Sequence, residues 1–209
     1  MRSRALVAMA LAAAACTDPL IPSRPGTYGF DRSGQIFHWP VNRLPVRFYA
    51  DPRGALHGYV SLAVKTWQEQ LLYGEFSGEM VNDSTQADVI VVWADSVPPD
   101  VPPDQGPPVT ACDGLTLAFT DTSGVQLDGP LHTQLTVLIG KVFTASQVAA
   151  CMQRTTLHEI GHTLGLFQES PDTQDVMYTT PSATAPSDAD RWTVQKLYHT
   201  TPNIAPAPR

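Results

Sequence analysis

An α+β domain, with helices packed on a mixed twisted sheet, is what this sequence predicts. Three observations carry that expectation. Ala87-Asp88-Val89-Ile90-Val91-Val92-Trp93 is β-branched and almost continuously apolar, the pattern of an interior strand covered on both faces. Val60, Ala63, Val64, Trp67, Leu71 and Leu72 recur at helical spacing between about Gly58 and Tyr73. A second helical pattern passes through Val148, Cys151, Leu157 and Ile160 to about Leu164, with Thr144 or Ser146 as its cap. Strands and helices therefore alternate along one chain of 209 residues, enough for a single domain with a real core.

The remaining elements follow from breakers and caps. Val46-Arg47-Phe48-Tyr49 lies between Pro45 and Asp51-Pro52 and reads as a short strand. Leu115–Thr120 and Leu135–Ile139 are two more strands, joined by a polar stretch containing Gly124 and Gly129. Residues 97–108 hold six prolines and form a stiff surface loop. Ser187 with Asp190 three residues on is a capping box for a C-terminal helix, with Trp192, Val194, Leu197 and Tyr198 on its apolar side.

Both ends of the chain lie outside that pattern. Arg2 and Arg4 precede an apolar run over residues 5–15, too short to span a bilayer but suited to a secretory signal. Ala13-Ala14-Ala15-Cys16 resembles the lipobox of bacterial lipoproteins, in which the cysteine is acylated and becomes the mature N-terminus; an ordinary signal peptide cleaved nearby is the alternative. Residues 16–42 are expected to be a tether whose last part packs on the core through Phe37 and Trp39, residues 43–201 the domain, and residues 202–209 a disordered tail. The lipobox places the protein in the bacterial cell envelope, exported and held to a membrane by its N-terminal lipid alone. A net charge of -7, spread along the chain without a basic stripe, argues against nucleic acid as a partner. With Cys16 set aside, Cys112 and Cys151 remain, either as a disulfide or as two buried thiols. A bridge closing a loop of roughly 40 residues stabilises by about 3–4 kcal/mol in the chain-entropy picture.

The chemistry is concentrated at His158-Glu159-Ile160-Gly161-His162. Histidines four apart on a helix project from one face and can both reach one Zn²⁺. Glu159, turned about 100° from His158, sits beside that point. From there it can take a proton from a metal-activated water and pass it to a leaving amine. Gly165 can adopt a positive φ, ending the helix and turning the chain back under it, so that Gln168 approaches from another side.

His158-Glu159-x-x-His162-x-x-Gly165 resembles the elongated zinc-binding signature of the metzincins, and Asp175-Val176-Met177-Tyr178 resembles their Met-turn. Together with the upstream Trp67 helix and the terminal helix, the pattern is similar to the matrixin branch. The resemblance covers roughly residues 44–200 and is specific only over residues 158–178. It implies a zincin-like fold, a zinc metalloendopeptidase with Glu159 as general base, Met177 as a floor below the metal, and an edge strand that binds an extended peptide. His158 and His162 are the implied zinc ligands. Gln168 stands where the family has His or Asp, with Glu169, Asp172 or water as substitutes. No cysteine lies between Cys16 and Cys112, so a cysteine-switch propeptide is not expected. Asp113, Asp121 and Asp128 could hold a structural Ca²⁺ or be solvated turn residues. His38, His57, His132 and His199 are scattered and read as surface or core residues. The expected partner is a peptide or protein substrate, acted on by a monomer. The alternative is a binding lipoprotein of the same fold that no longer catalyses.

Overall fold

The computed structural model describes residues 26–94, 112–137 and 144–209. The expected signal segment, Cys16, the proline-rich stretch and the end of the strand expected at Leu135–Ile139 lie outside them. The described chain is a mixed five-stranded sheet packed with three helices. In chain order the elements are β1 (Val46–Ala50), α1 (Leu56–Gln68), β2 (Gly78–Val81), β3 (Val89–Trp93), β4 (Cys112–Leu117), β5 (Leu131–Val137), α2 (Ala145–Thr163) and α3 (Asp188–Tyr198). Strand order is β2-β1-β3-β5-β4, all neighbours parallel except β4, which runs antiparallel to β5 at the end of the sheet.

The sheet is built by period-two alternation. Val46, Phe48 and Ala50 of β1 and Val89 and Val91 of β3 are buried, as are Leu131, Thr133 and Leu135 of β5, while the strand residues between them are half-buried or exposed; Thr136 of β5 is buried as well. Register aligns these buried rows: Phe48 lies beside Val89, and Val89 beside Leu131. α1 and α2 pack against each other on the sheet, α1 against β1 and β2, α2 against β4 and β5. β3 is thus buried on one face and half-buried on the other, rather than covered on both as its composition predicted.

Boundaries moved where composition was weak. β5 begins at Leu131, because Leu131 and Thr133 continue the buried row that the polar neighbours His132 and Gln134 conceal in the sequence. β4 starts at Cys112, three residues before the expected Leu115. β2 was not expected; it forms by parallel pairing with β1, which no local pattern announces. The helix caps agree with expectation. Thr144 and Gln147 form a reciprocal capping box on α2, and Ser187 and Asp190 one on α3. Such caps typically contribute about 1 kcal/mol each.

The described parts of the expected tether and tail lie against the domain, the tether through Phe37 and Trp39 as expected and also through Tyr28 and Phe30. Residues 26–39 form a strap lying against the domain, with Tyr28, Phe30, Phe37 and Trp39 all buried. Trp39 Nε1 donates to the Thr163 carbonyl at 2.8 Å, at the end of α2. At the other end, Ile204 is buried and bridges Phe37, Ala205 bridges Gln126, and Arg209 pairs with Asp88. These aromatic and aliphatic side chains bury apolar surface that a free tether or tail would leave in water. Among the described residues no helix is long and apolar enough to cross a membrane.

Candidate metal centre

α2 ends in a Schellman turn: Gly165 N–H donates to His162 O at 3.0 Å and Leu166 N–H to Gly161 O at 3.4 Å. Gly165 has φ 105°, and a Cβ there would strike the Phe37 carbonyl of the strap. Only glycine satisfies both demands, the left-handed backbone and the close approach. The turn sends residues 166–170 back beneath the helix, where Ser170 N–H donates to Met177 O at 2.6 Å.

His158 and His162 lie on the same face of α2, their rings perpendicular with centroids 4.7 Å apart. His158 Nδ1 donates to the Val176 carbonyl at 2.8 Å and His162 Nδ1 to the Leu166 carbonyl at 2.5 Å. A carbonyl can only accept, so each Nδ1 carries a proton, and Nε2 is the ring nitrogen turned toward the space between the two side chains. Those two Nε2 atoms are 3.1 Å apart. Glu169 closes the group, with Oε1 3.3 Å from His162 Nε2 and Oε2 3.6 Å from His158 Nε2. Tetrahedral ligands at 2.0–2.1 Å from one Zn²⁺ are about 3.3 Å from each other, and each of these separations, taken to the nearer carboxylate oxygen, is of that size. Among the described residues, His158, His162 and Glu169 are the group of His, Cys, Asp and Glu side chains close enough to share a metal ion.

Electrostatics favour positive charge at this point. Burial works against a charged His158, but the Glu169 hydrogen bond and the fields of Glu159 and Glu169 outweigh it and raise its pKa to about 9. Burial also works against ionised Glu169, and the two imidazoles outweigh that in turn, holding its carboxyl at about 2. Proton or metal ion, a cation between these groups is what the carboxylates stabilise.

Gln168, the expected third ligand, is engaged with the strap. Its Nε2 donates to the Asp31 carbonyl of the strap, and its carboxamide lies against Gly29. Position 169 provides the facing side chain because Gln168 is drawn to the strap on one side and Ser170 to Met177 on the other. Glu169 was one of the substitutes the sequence left open. Asp172, another, instead accepts from Gln174 N at 2.9 Å.

Glu159 is buried, 3% exposed. Its Oε2 accepts from Thr116 Oγ1 at 2.6 Å, and a Cβ at Gly114 would come within 2.5 Å of its Oε1. Cys112, Gly114 and Thr116 are alternate residues of β4, so all face α2. Cys112 is disulfide-bonded to Cys151 there, with Cα atoms 5.7 Å apart. Four strand steps of about 3.3 Å from 112 to 116 match eight helical steps of about 1.5 Å from 151 to 159. One row of β4 thus meets one row of α2 from the disulfide to Glu159. The sequence carried no signal for Thr116 or Gly114, since both matter only through this pairing.

Met177 is fully buried, and its sulfur packs so closely on Gly161 that a Cβ there would displace it. Its position is set by Asp190, whose carboxylate accepts from Val176 N at 2.8 Å, Met177 N at 3.3 Å, Ser187 N at 2.9 Å and Tyr28 Oη at 2.7 Å. Asp113, Asp121 and Asp128 do not form a comparable group; Asp121 turns its Oδ1 onto Ser123 N and Gly124 N, both at 3.1 Å. His57 and His132 are exposed, His38 Nε2 reaches the Thr200 carbonyl at 3.0 Å, and His199 reaches Glu75 at 3.5 Å.

No family model matches this chain, and neither does any curated protein.

Proposed function

We propose that the protein is a zinc-dependent metalloendopeptidase of metzincin type, similar to the matrixin branch, with His158, His162 and Glu169 holding the ion. The observation carrying this reading is the convergence of two imidazole Nε2 atoms and a carboxylate at ligand-to-ligand spacing. Zn²⁺ held there would supply Lewis acidity to a water and to the peptide carbonyl. The chain's own groups do the rest. The Val176 and Leu166 carbonyls orient the imidazoles and fix their tautomers, and Met177 backs the helix beneath them. Glu159 accepts the proton of the attacking water and returns it to the leaving amine. Thr116 steadies Glu159 through its hydroxyl, and β4, last in the sheet order, offers an edge to an extended peptide. The lipid on Cys16 holds the enzyme at the cell envelope.

Purified full-length protein is expected to contain zinc near one equivalent and to cleave within a peptide library. Glu159→Ala keeps the zinc and abolishes cleavage; undiminished cleavage by that variant rejects the mechanism. One observation favours the second reading, a binding lipoprotein that holds metal without turnover: Glu159 is almost wholly buried, with its carboxylate bonded to Thr116. Zinc-loaded protein that cuts nothing in the library would establish it.

A further inference from the structure

We infer that the N-terminal strap is part of the metal centre, and that Gln168 is a positioning residue that presents Glu169 by clamping to the strap. This rests on the proposed ligand set, and extends it to residues more than a hundred positions away.

Glu169 is the ligand least fixed by its own backbone. The histidines stand on a nineteen-residue helix and each has a carbonyl behind its ring. Glu169 follows the helix in irregular chain, its side chain 44% exposed, so its direction depends on its neighbours. Ser170 is tied to the Met177 segment by its N–H, and its hydroxyl is bonded to Asp175. Phe167 and Gln168 are tied to the strap: Phe167 N–H donates to the Phe30 carbonyl at 2.9 Å, and the Gln168 carboxamide donates to the Asp31 carbonyl. Held at 167, 168 and 170, the chain leaves 169 as the residue free to face the histidines.

The strap is firm enough to serve as an anchor. Tyr28 is bonded to Asp190 through its hydroxyl and to Thr193 Oγ1 through its N–H at 3.2 Å, both on α3. Phe37 is wholly buried and stacks on Phe167 with ring centroids 6.2 Å apart. Gly29 leaves the space that the Gln168 carboxamide fills; a Cβ at 29 would occupy the position of its oxygen. The strap therefore carries both a partner and a vacated volume for one side chain, and that side chain adjoins the ligand.

Gly29→Ala tests this in the full chain, because it displaces the flexible end of Gln168 without touching either histidine. Cobalt(II) is titrated into wild type, Gly29→Ala, Gln168→Ala, the double variant and Glu169→Ala against a competing chelator. Visible absorption reports affinity and coordination, with thermal melting alongside. Gly29→Ala and Gln168→Ala are each expected to weaken cobalt binding by about 10- to 100-fold, the usual effect of removing a ligand's supporting partner. The double variant should bind no more weakly than Gln168→Ala, since both remove the same clamp. If Gly29→Ala fails to fold, Gln168→Ala, which truncates an exposed side chain, decides the matter. Wild-type affinity in Gln168→Ala, with binding weakened in Glu169→Ala, overturns the clamp and leaves the ligand set standing. Wild-type affinity in Glu169→Ala overturns the ligand set itself.

Discussion

Asp88 and Asp190 are both buried, yet the protein meets their charges in opposite ways. Asp88 is ringed by arginines: Arg43 at 3.0 Å, Arg47 at 3.6 Å and Arg209 at 2.7 Å. Asp190 is met by neutral donors, three backbone N–H groups and the Tyr28 hydroxyl. The arginine side chains keep 15–32% of their surface in water, so they can rehydrate if their partner is lost. The N–H groups of Val176 and Ser187 cannot turn to solvent without moving the chain that carries them. Asp88 therefore holds Arg209 and the segment leading into β1 to the sheet by a replaceable link. Asp190 fixes, by an irreplaceable one, the segment whose carbonyl orients His158.

The largest break is expected at Asp190. Asp190→Ala leaves at least three buried donors without an acceptor, each worth about 1–3 kcal/mol. A loss of about 3–9 kcal/mol follows, a large share of an ordinary domain's stability, measurable by urea unfolding. A cost below about 1 kcal/mol would mean that water reaches those donors.

Asp88→Asn should cost less, about 1–3 kcal/mol, because the arginines can turn outward. It also carries a pH signature. Burial alone would raise the Asp88 pKa, but Arg209, the Arg47 N–H and Arg43 outweigh it and hold the carboxyl below its ordinary 3.8. A depressed folded-state pKa gives stability that is fully present above the unfolded value and lost as pH falls through the folded one. The gap between wild type and Asp88→Asn should thus be constant near neutrality and close below about pH 4. A gap that does not narrow at all as pH falls below about 4 would count against charge pairing.

Arg209→Ala is the smallest break, below about 1 kcal/mol for one partly exposed partner among three. Its effect should fade in 1 M salt, where the screening length is about 3 Å, while that of Asp190→Ala should not. Equal salt sensitivity in both variants would erase the distinction between the two sites.

The same contrast separates what the sequence revealed from what it concealed. His158, Glu159 and His162 were legible because one helical turn relates them, and Thr144, Ser187 and Gly165 because caps and stops act within four residues. β3 announced itself by composition. Glu169 could not be chosen over Gln168 in the same way. The choice is made by Asp31, 137 positions earlier, and by the volume left at Gly29. β2 and the start of β5 were hidden because parallel partners, not local alternation, define them. Tyr28 and Phe30 sat in a stretch rich in proline and glycine, where periodicity gives no cue to burial.

The row shared by β4 and α2 has a consequence for how the oxidised protein matures. Strand side chains alternate, so a slip of one residue would turn Asp113 and Leu115 toward the helix and carry Cys112 to the far side of the sheet. The sulfurs can then no longer meet. Bond formation is therefore a test of alignment: oxidation succeeds only in the register that also sets Gly114 and Thr116 against Glu159. Once closed, the bridge makes that register permanent, and every oxidised molecule carries a covalent record that the Glu159 carboxylate was seated against β4.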